Sequence, residues 1–219
     1  MYRRYIVQIL EEISTYLQRG RAPKVKELVM QAIEEGVSAE TILEEALLSS
    51  IGVVGEKFKR NEVFVPEVLV AARAMNQGAA LLKPLLVQEG VKSVGKVCIG
   101  TVQGDLHDIG KNIVKLMLEG KGIEVHDLGV DVTADTFVEK AIEFNADLIC
   151  CSALLTTTMA EMKNVVLKLD KDGLRDKIKV MIGGAPITDE FCQSIGADYY
   201  TADAASAADV ALKICKKEI

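Results

Sequence analysis

The sequence predicts an α/β protein: an N-terminal four-helix bundle, then a five-stranded parallel sheet wound on both faces by helices. Three observations carry this expectation. Up to about residue 89, apolar residues recur at helical spacing. Beyond it, compact apolar runs alternate with amphipathic stretches, the grammar of repeated βα units. The residues after those runs are small, hydroxylic or glycine, as where strands pass into loops.

Taken in order, Ile6, Ile9, Leu10, Ile13 and Leu17 form the stripe of a first helix. A break over Gly20 to Pro23 precedes a second stripe, Val25, Leu28, Val29, Ala32 and Ile33, which Gly36 ends as a favoured residue just past a helix. Ser38 is placed to cap a third helix running to about Lys59. Pro66, tolerated in a first turn, opens a fourth through Met75 to about Leu86, with Pro84 expected to end or kink it. After a polar joint at 88–93, strands are expected at 96–102, 123–128, 147–154, 179–182 and 198–201. The intervening helices fall at about 110–120, 134–145, 157–170, 187–195 and 204–217. The domains are therefore 1–89 and 90–219. For five such strands the flavodoxin-like, Rossmann-type order 2-1-3-4-5 is the natural one.

Composition excludes several classes. The 219 residues are 49% hydrophobic and 26% charged, the profile of a globular protein. A formal charge of −6 leaves no basic surface to neutralise phosphates, which argues against nucleic acid. No apolar run approaches the ~20 residues that span a bilayer, and the N-terminus lacks a signal-peptide core, so a membrane is not expected. Cys98, Cys150, Cys151, Cys192 and Cys215 are odd in number, lie in apolar segments and show no C-x-x-C spacing, which favours buried thiols in a reducing cytoplasm. His126 reads as a partly exposed strand histidine, and Met30, Met75, Met117 and Met159 as core filler, with lining of a ligand's upper face the alternative for Met75.

Ligands of open parallel sheets bind beyond the carboxyl ends of the strands, near the reversal of strand order. The segments that follow strands there are 101–110 after the first, 152–158 after the third, 183–186 after the fourth and 201–205 after the fifth. The first has no G-x-G-x-x-G and no Walker pattern. It offers Asp105-x-His107-x-x-Gly110, an imidazole with a carboxylate two residues away. Such a carboxylate can take the proton of one ring nitrogen and leave the other free for a metal. By itself the pair reads most simply as an ordinary hydrogen-bonded loop histidine.

Three elements together change that reading. Gly104-Asp-Leu-His-Asp-Ile-Gly110 resembles the D-x-H-x-x-G signature of cobalamin-binding proteins. Ser152-Ala-Leu154 resembles their S-x-L element, and Gly183-Gly184 their glycine pair, each after the expected strand. Upstream, Gly52-Val-Val-Gly55, Phe58, Phe64-Val-Pro-Glu-Val-Leu69 and Ala71-Ala-Arg-Ala-Met75 resemble the helical cap domain of methyltransferase corrinoid proteins. Asn61 and Val65 stand where that cap often has glycine and leucine. The likeness is closest to the stand-alone corrinoid proteins of methylamine, methanol and betaine demethylation, which share the pattern at Ser152–Met159. It extends to the cobalamin-binding module of methionine synthase.

The resemblance implies cobalamin or a related corrinoid, bound base-off with His107 on cobalt. Asp105 would accept the other imidazole N–H and Thr158 would complete the relay. Contacts to the cofactor are implied for Gly104, Asp105, His107, Asp108, Ile109, Gly110, Ser152, Leu154, Thr156, Gly183, Gly184 and Ala204. Gly110, Gly183 and Gly184 would leave room for the nucleotide tail, and Phe64 of the cap would cover the upper face. The implied function is a methyl carrier without activity of its own. Co(I) would accept a methyl group from a substrate:corrinoid methyltransferase, and methyl-Co(III) would donate it to a second methyltransferase with a tetrahydrofolate or thiol acceptor. A reductive activating protein is a further implied partner. A carbon-skeleton mutase subunit shares the D-x-H-x-x-G element but typically lacks the cap, and a cobalamin-gated sensor would need an output domain that the sequence does not show.

Overall fold

In a computed structural model, residues 2–89 and 93–219 are described, the side chains of 2–5 and 87–89 excepted. The chain forms two compact units, Met1–Lys92 and Ser93–Ile219.

The first unit is helical: α1 (Tyr2–Gln18), α2 (Ala22–Glu34), α3 (Ala39–Thr41), a π-helical run (Ile42–Leu48), α4 (Ser49–Lys59) and α5 (Val65–Glu89). Ile13, Leu17, Val25, Val29, Ile42, Leu47 and Leu82 form its core, each essentially without solvent exposure. Ser38 caps α3 by accepting the Thr41 N–H at 3.1 Å, as expected. The expected third helix is one run, but its middle is π-helical: the Ser49 N–H reaches back five residues to the Glu44 carbonyl. Buried Ser50 spends its hydroxyl on the Ala46 carbonyl. At α5, the Phe64 N–H donates to Glu67 Oε2 at 3.1 Å, so the glutamate returns to satisfy an open donor at the helix start.

Two expectations are corrected in this unit. Pro84 does not end α5, which runs on to Glu89. Both Pro84 and Ala80, whose carbonyl loses its helical donor, are exposed, so water can satisfy the group that proline leaves open. Met30 is 41% exposed rather than core, whereas Met75 and Met117 are buried. Asn61 has φ 57°, the left-handed conformation that glycine adopts freely and asparagine tolerates better than most residues. That accounts for asparagine at a position where glycine is frequent.

The second unit is an open parallel sheet of order β2-β1-β3-β4-β5. Its strands are β1 (Lys96–Thr101), β2 (Glu124–Asp127), β3 (Leu148–Ser152), β4 (Lys179–Gly183) and β5 (Tyr199–Tyr200). The helices are α6 (Ile109–Glu119), α7 (Ala134–Phe144), α8 (Met159–Lys171), α9 (Asp189–Ile195) and α10 (Ala204–Cys215). Strand order and alternation are those expected; several ends are shorter. Just past β3 the Ala153 N–H still reaches the Gly183 carbonyl at 3.2 Å, but the N–H groups of Leu154 and Leu155 turn to the Asp105 carboxylate and the ladder ends. Beyond α10, Lys217 at φ 58° turns the chain out of helical geometry. His126 lies on β2 with its ring tilted against Phe144 at 5.1 Å.

Register aligns the carboxyl edge. Thr101 pairs with Ser152, and Ser152 with Gly183, so three of the loops of interest leave the sheet from one row. The central strands are buried on both faces, as a doubly wound sheet requires. Phe137 of α7 is fully buried and lies so close over Gly100 of β1 that a Cβ there would approach the ring to 2.8 Å. Phe137→Ala is expected to cost about 3–5 kcal/mol, read as a lowered guanidinium midpoint for the α/β unit of the cofactor-free protein.

Candidate corrinoid site

The loop between β1 and α6 is held by a buried carboxylate. Asp105 is completely inaccessible. Its Oδ1 accepts the His107 N–H at 3.1 Å and faces the His107 ring Nδ1 at 2.7 Å. Its Oδ2 accepts the N–H groups of Leu154 and Leu155 at 2.8 and 3.1 Å and the Thr158 hydroxyl at 3.0 Å. Burial alone would push this carboxyl up. The N–H groups of His107, Leu154 and Leu155 and the His107 ring outweigh it and hold the group well below the usual carboxylate range. An ionised carboxylate can only accept, so Nδ1 carries a proton, and in the neutral ring the lone pair is on Nε2. The ring itself is half exposed, with 51% of its side-chain surface accessible. An imidazole with a fixed tautomer and an open nitrogen is prepared for a metal.

The surroundings fit a large apolar ligand. Leu106, just before His107, and Ile109, the first residue of α6, are each 71% exposed, and Leu154 and Leu155 are 44% and 40% exposed. Water-facing leucine and isoleucine gathered about one imidazole mark a binding surface. Among the described residues no three His, Cys, Asp or Glu side chains are grouped to hold a metal. One imidazole therefore suits a metal whose remaining ligands arrive with it, as in a macrocycle.

The glycines divide by cause. A Cβ on Gly110 would meet nothing within 4 Å, so its lack of a side chain leaves open space at the start of α6. A Cβ on Gly183 would only touch the Thr201 carbonyl at 3.7 Å. Gly184 differs: at φ 137° its Cβ would collide with the Ala153 carbonyl, so the protein's own backbone demands glycine there. Gly104, at φ 81°, takes a turn conformation that favours glycine, and its N–H donates to Asp131 Oδ1 at 2.7 Å.

Of the expected residues, the structure brings Asp105, His107, Leu154 and Thr158 into one bonded group. Asp108 and Thr156 are exposed on the flanking loops, Ile109 and Gly110 are exposed in the first turn of α6, and Ser152 and Gly183 are partly buried at the strand ends. Ala204 is buried in the first turn of α10. Phe64 belongs to the helical unit and is 62% exposed; its part in binding rests on the resemblance. Sequence reasoning missed the Leu155 N–H, Asp131, Thr101 and Lys111. Lys111 is 3% exposed, and its Nζ lies 2.6 Å from Asp127 Oδ1. Burial would raise the Asp127 carboxyl, but Lys111 and the Gly129 N–H hold it low.

This sheet edge, with one readied imidazole inside an apolar rim, defines a B12-binding α/β domain. Residues 95–213 match the family described as B12 binding domain, and residues 9–83 match a second family of that description. A corrinoid protein of Desulfitobacterium hafniense is 40% identical over 215 residues, covering 97% of this chain and 100% of that protein. The dimethylamine corrinoid protein of Methanosarcina barkeri is 44% identical over 201 residues, covering 91% of this chain and 94% of that protein. The crystal structure of a methanol:cobalamin methyltransferase complex from M. barkeri superposes with a TM-score of 0.86 at 31% identity, covering 95% of this chain and 80% of that one. A cobalamin-binding protein of D. hafniense superposes at 0.76, also with 31% identity, over 96% of this chain and 98% of that one. The chain belongs to the corrinoid proteins of methylamine and methanol methyltransferase systems.

Asp105→Asn tests the tautomer. Its amide can satisfy the Leu154 and Leu155 N–H groups only by turning its NH2 toward His107, which makes Nδ1 the acceptor and moves the ring proton to Nε2. Nitrogen NMR of the cofactor-free variant should show that switch, with a stability loss of about 1–3 kcal/mol from the displaced His107 N–H. The parent should lose stability as pH falls below about 4, where unfolded aspartate takes up a proton that the folded carboxylate refuses. The asparagine variant should show a shallower acid slope.

Proposed function

We propose that this protein is a methyl carrier that binds its corrinoid base-off, with His107 as the lower axial ligand of cobalt. The single observation that carries this reading is the His107–Asp105 pair: Nδ1 lies 2.7 Å from a carboxylate with no access to solvent, while half of the imidazole side chain's surface is accessible. A bound corrinoid would supply the methyl-transfer chemistry, and this chain would present it to a substrate:corrinoid methyltransferase and to a second methyltransferase that serves a pterin or thiol acceptor.

The chain's own residues bind and orient. Asp105 holds the Nδ1 proton and so keeps the imidazole in the ligating tautomer. Thr158 donates to Asp105 from the side opposite His107, and its hydroxyl also lies 2.9 Å from the Leu155 carbonyl. With one proton and two acceptors, it can give or withdraw support from the carboxylate. Leu106, Ile109, Leu154 and Leu155 exclude water from the ligated face. The open side of Gly110 and the polar groups of Ser152 and Thr156 would receive the displaced nucleotide tail, beside Gly183 and Ala204. Partner methyltransferases are supported by the methanol:cobalamin methyltransferase complex among the structural relatives. A reductive activating protein is part of the same proposal. Among the described residues no helix is long and apolar enough to cross a membrane. Cys98, Cys150, Cys151 and Cys192 are buried as free thiols and Cys215 only partly so, and burial pushes Cys98 up to about 12; unpaired thiols support the cytoplasmic location we propose.

Incubation of the cofactor-free protein with hydroxocobalamin, followed by desalting, should leave stoichiometric cobalt. The visible spectrum should change in His107→Ala, whose corrinoid should also dissociate at least about tenfold more readily. Unchanged spectra in a folded His107→Ala variant would remove His107 from the cobalt.

A further inference from the structure

His107 is held from two sides. Asp105 fixes its ring. Its main chain is fixed by a separate set of groups that lies outside the D-x-H-x-x-G, S-x-L and glycine-pair elements. Thr101, the last residue of β1, is fully buried and donates its hydroxyl to the His107 carbonyl at 2.8 Å. That hydroxyl is itself placed by the segment after β2: the Thr101 N–H donates to the Gly129 carbonyl and the Thr101 carbonyl accepts from Val132, both at 3.0 Å. The Gly129 N–H donates to Asp127 Oδ1 at 3.0 Å, and the same oxygen takes the Lys111 ammonium at 2.6 Å. Lys111 sits in the first turn of α6, a short step along the chain from His107. The bonds therefore close a circuit: His107 carbonyl, Thr101, Gly129, Asp127, Lys111, and back through Gly110, Ile109 and Asp108 to His107.

The circuit contains a nearly buried lysine, which is a costly choice for packing alone. Taking an ammonium out of water carries a penalty of several kcal/mol before its partners offset it, and an apolar side chain could fill such a site as stably. Lys111 is satisfied on two sides, by Asp127 and by Asn112 Oδ1 at 2.7 Å. Lys115 reaches the other Asp127 oxygen at 3.4 Å. What an ion pair adds over apolar packing is direction: it ties the start of α6 to the end of β2 at one separation. Thr101 likewise ties the loop before α6 to the end of β1. Between those two ties lies only the short stretch that presents His107.

We infer that Thr101 and the Lys111–Asp127 pair are positioning residues for His107, setting the direction in which Nε2 is offered independently of the Asp105 bond. The inference rests on the reading that His107 ligates cobalt. Removing either tie lets the loop relax, so that Nε2 meets the metal in only part of the molecules. Asp105 would still fix the tautomer, which separates this effect from the loss of the carboxylate.

The experiment loads the full chain with hydroxocobalamin in five forms: parent, Thr101→Val, Thr101→Ser, Lys111→Met and His107→Ala. Visible spectra and corrinoid dissociation constants are compared, with guanidinium denaturation of each cofactor-free form. Thr101→Val and Lys111→Met are expected to move the spectrum part of the way toward that of His107→Ala and to weaken binding about 10- to 100-fold. Thr101→Ser, which keeps the hydroxyl, should restore the parent spectrum. Should Thr101→Val not fold, Lys111→Met and Thr101→Ser decide the matter, since Asp127 keeps Lys115 and the Gly129 N–H in the lysine variant. Parent spectra in both Thr101→Val and Lys111→Met, with or without lowered stability, would overturn the inference while leaving His107 on cobalt. A parent spectrum in His107→Ala would overturn the ligation reading and this inference with it.

Discussion

The structure of the sheet edge follows from one buried charge. A carboxylate with no access to water is unfavourable unless donors replace its hydration. Asp105 gathers those donors from two loops: His107 on its own, and Leu154, Leu155 and Thr158 on the loop after β3. Meeting that demand ends β3, shapes the turn into α8 and joins the first and third strands beyond their ladder. It also sets the imidazole, because an acceptor that must be satisfied will hold a ring N–H in place. The ligand geometry and the local stability are therefore one arrangement, and neither can be altered without the other.

Around this point the molecule separates rigid from receptive surface. The central strands are closed on both faces by the helices, and Phe137 over Gly100 shows how tightly β1 is packed just before it delivers its loop. Past the row Thr101, Ser152 and Gly183 the character reverses. Leucine and isoleucine face water, and Gly110 leaves open space. Apolar side chains are stable in such positions only on a well-braced backbone, and the brace is polar: the Asp105 group beneath them and the Thr101 and Asp131 bonds beside them.

Much of this was legible in the sequence. Alternating apolar runs and amphipathic stretches gave the order of strands and helices. Asp105 and His107 could be paired because they are two residues apart and close in any loop conformation. Thr158 was paired with them only through the resemblance, being distant in the chain. What escaped has a physical reason in each case. The N–H groups of Leu154 and Leu155 carry no side-chain signature, since every residue but proline has the same donor. Lys111 and Asp127 meet only once α6 is laid on β2. Gly184 looked like room for a ligand, yet its neighbour is the Ala153 carbonyl, a steric demand visible only after β3 and β4 are paired. Pro84 looked like a stop because exposure at Ala80, which makes the lost bond tolerable, is a property of the folded surface.

How strongly the imidazole is held by its carboxylate depends on how that negative charge is shared. A bare carboxylate would draw the Nδ1 proton strongly and leave Nε2 electron-rich. Asp105 is not bare: two main-chain N–H groups and one hydroxyl compete on Oδ2, and the His107 N–H competes on Oδ1. The main-chain donors are fixed by the fold. The Thr158 hydroxyl is the adjustable member, because its single proton can point to Asp105 at 3.0 Å or to the Leu155 carbonyl at 2.9 Å. When it points to Asp105 it shares the charge and weakens the pull on His107. When it turns to Leu155 the carboxylate keeps only its main-chain donors and the imidazole, and its pull on the ring proton strengthens. On the proposed reading of His107 as a metal ligand, a rotating hydroxyl behind its acceptor adjusts the donor strength of Nε2 without moving the ring.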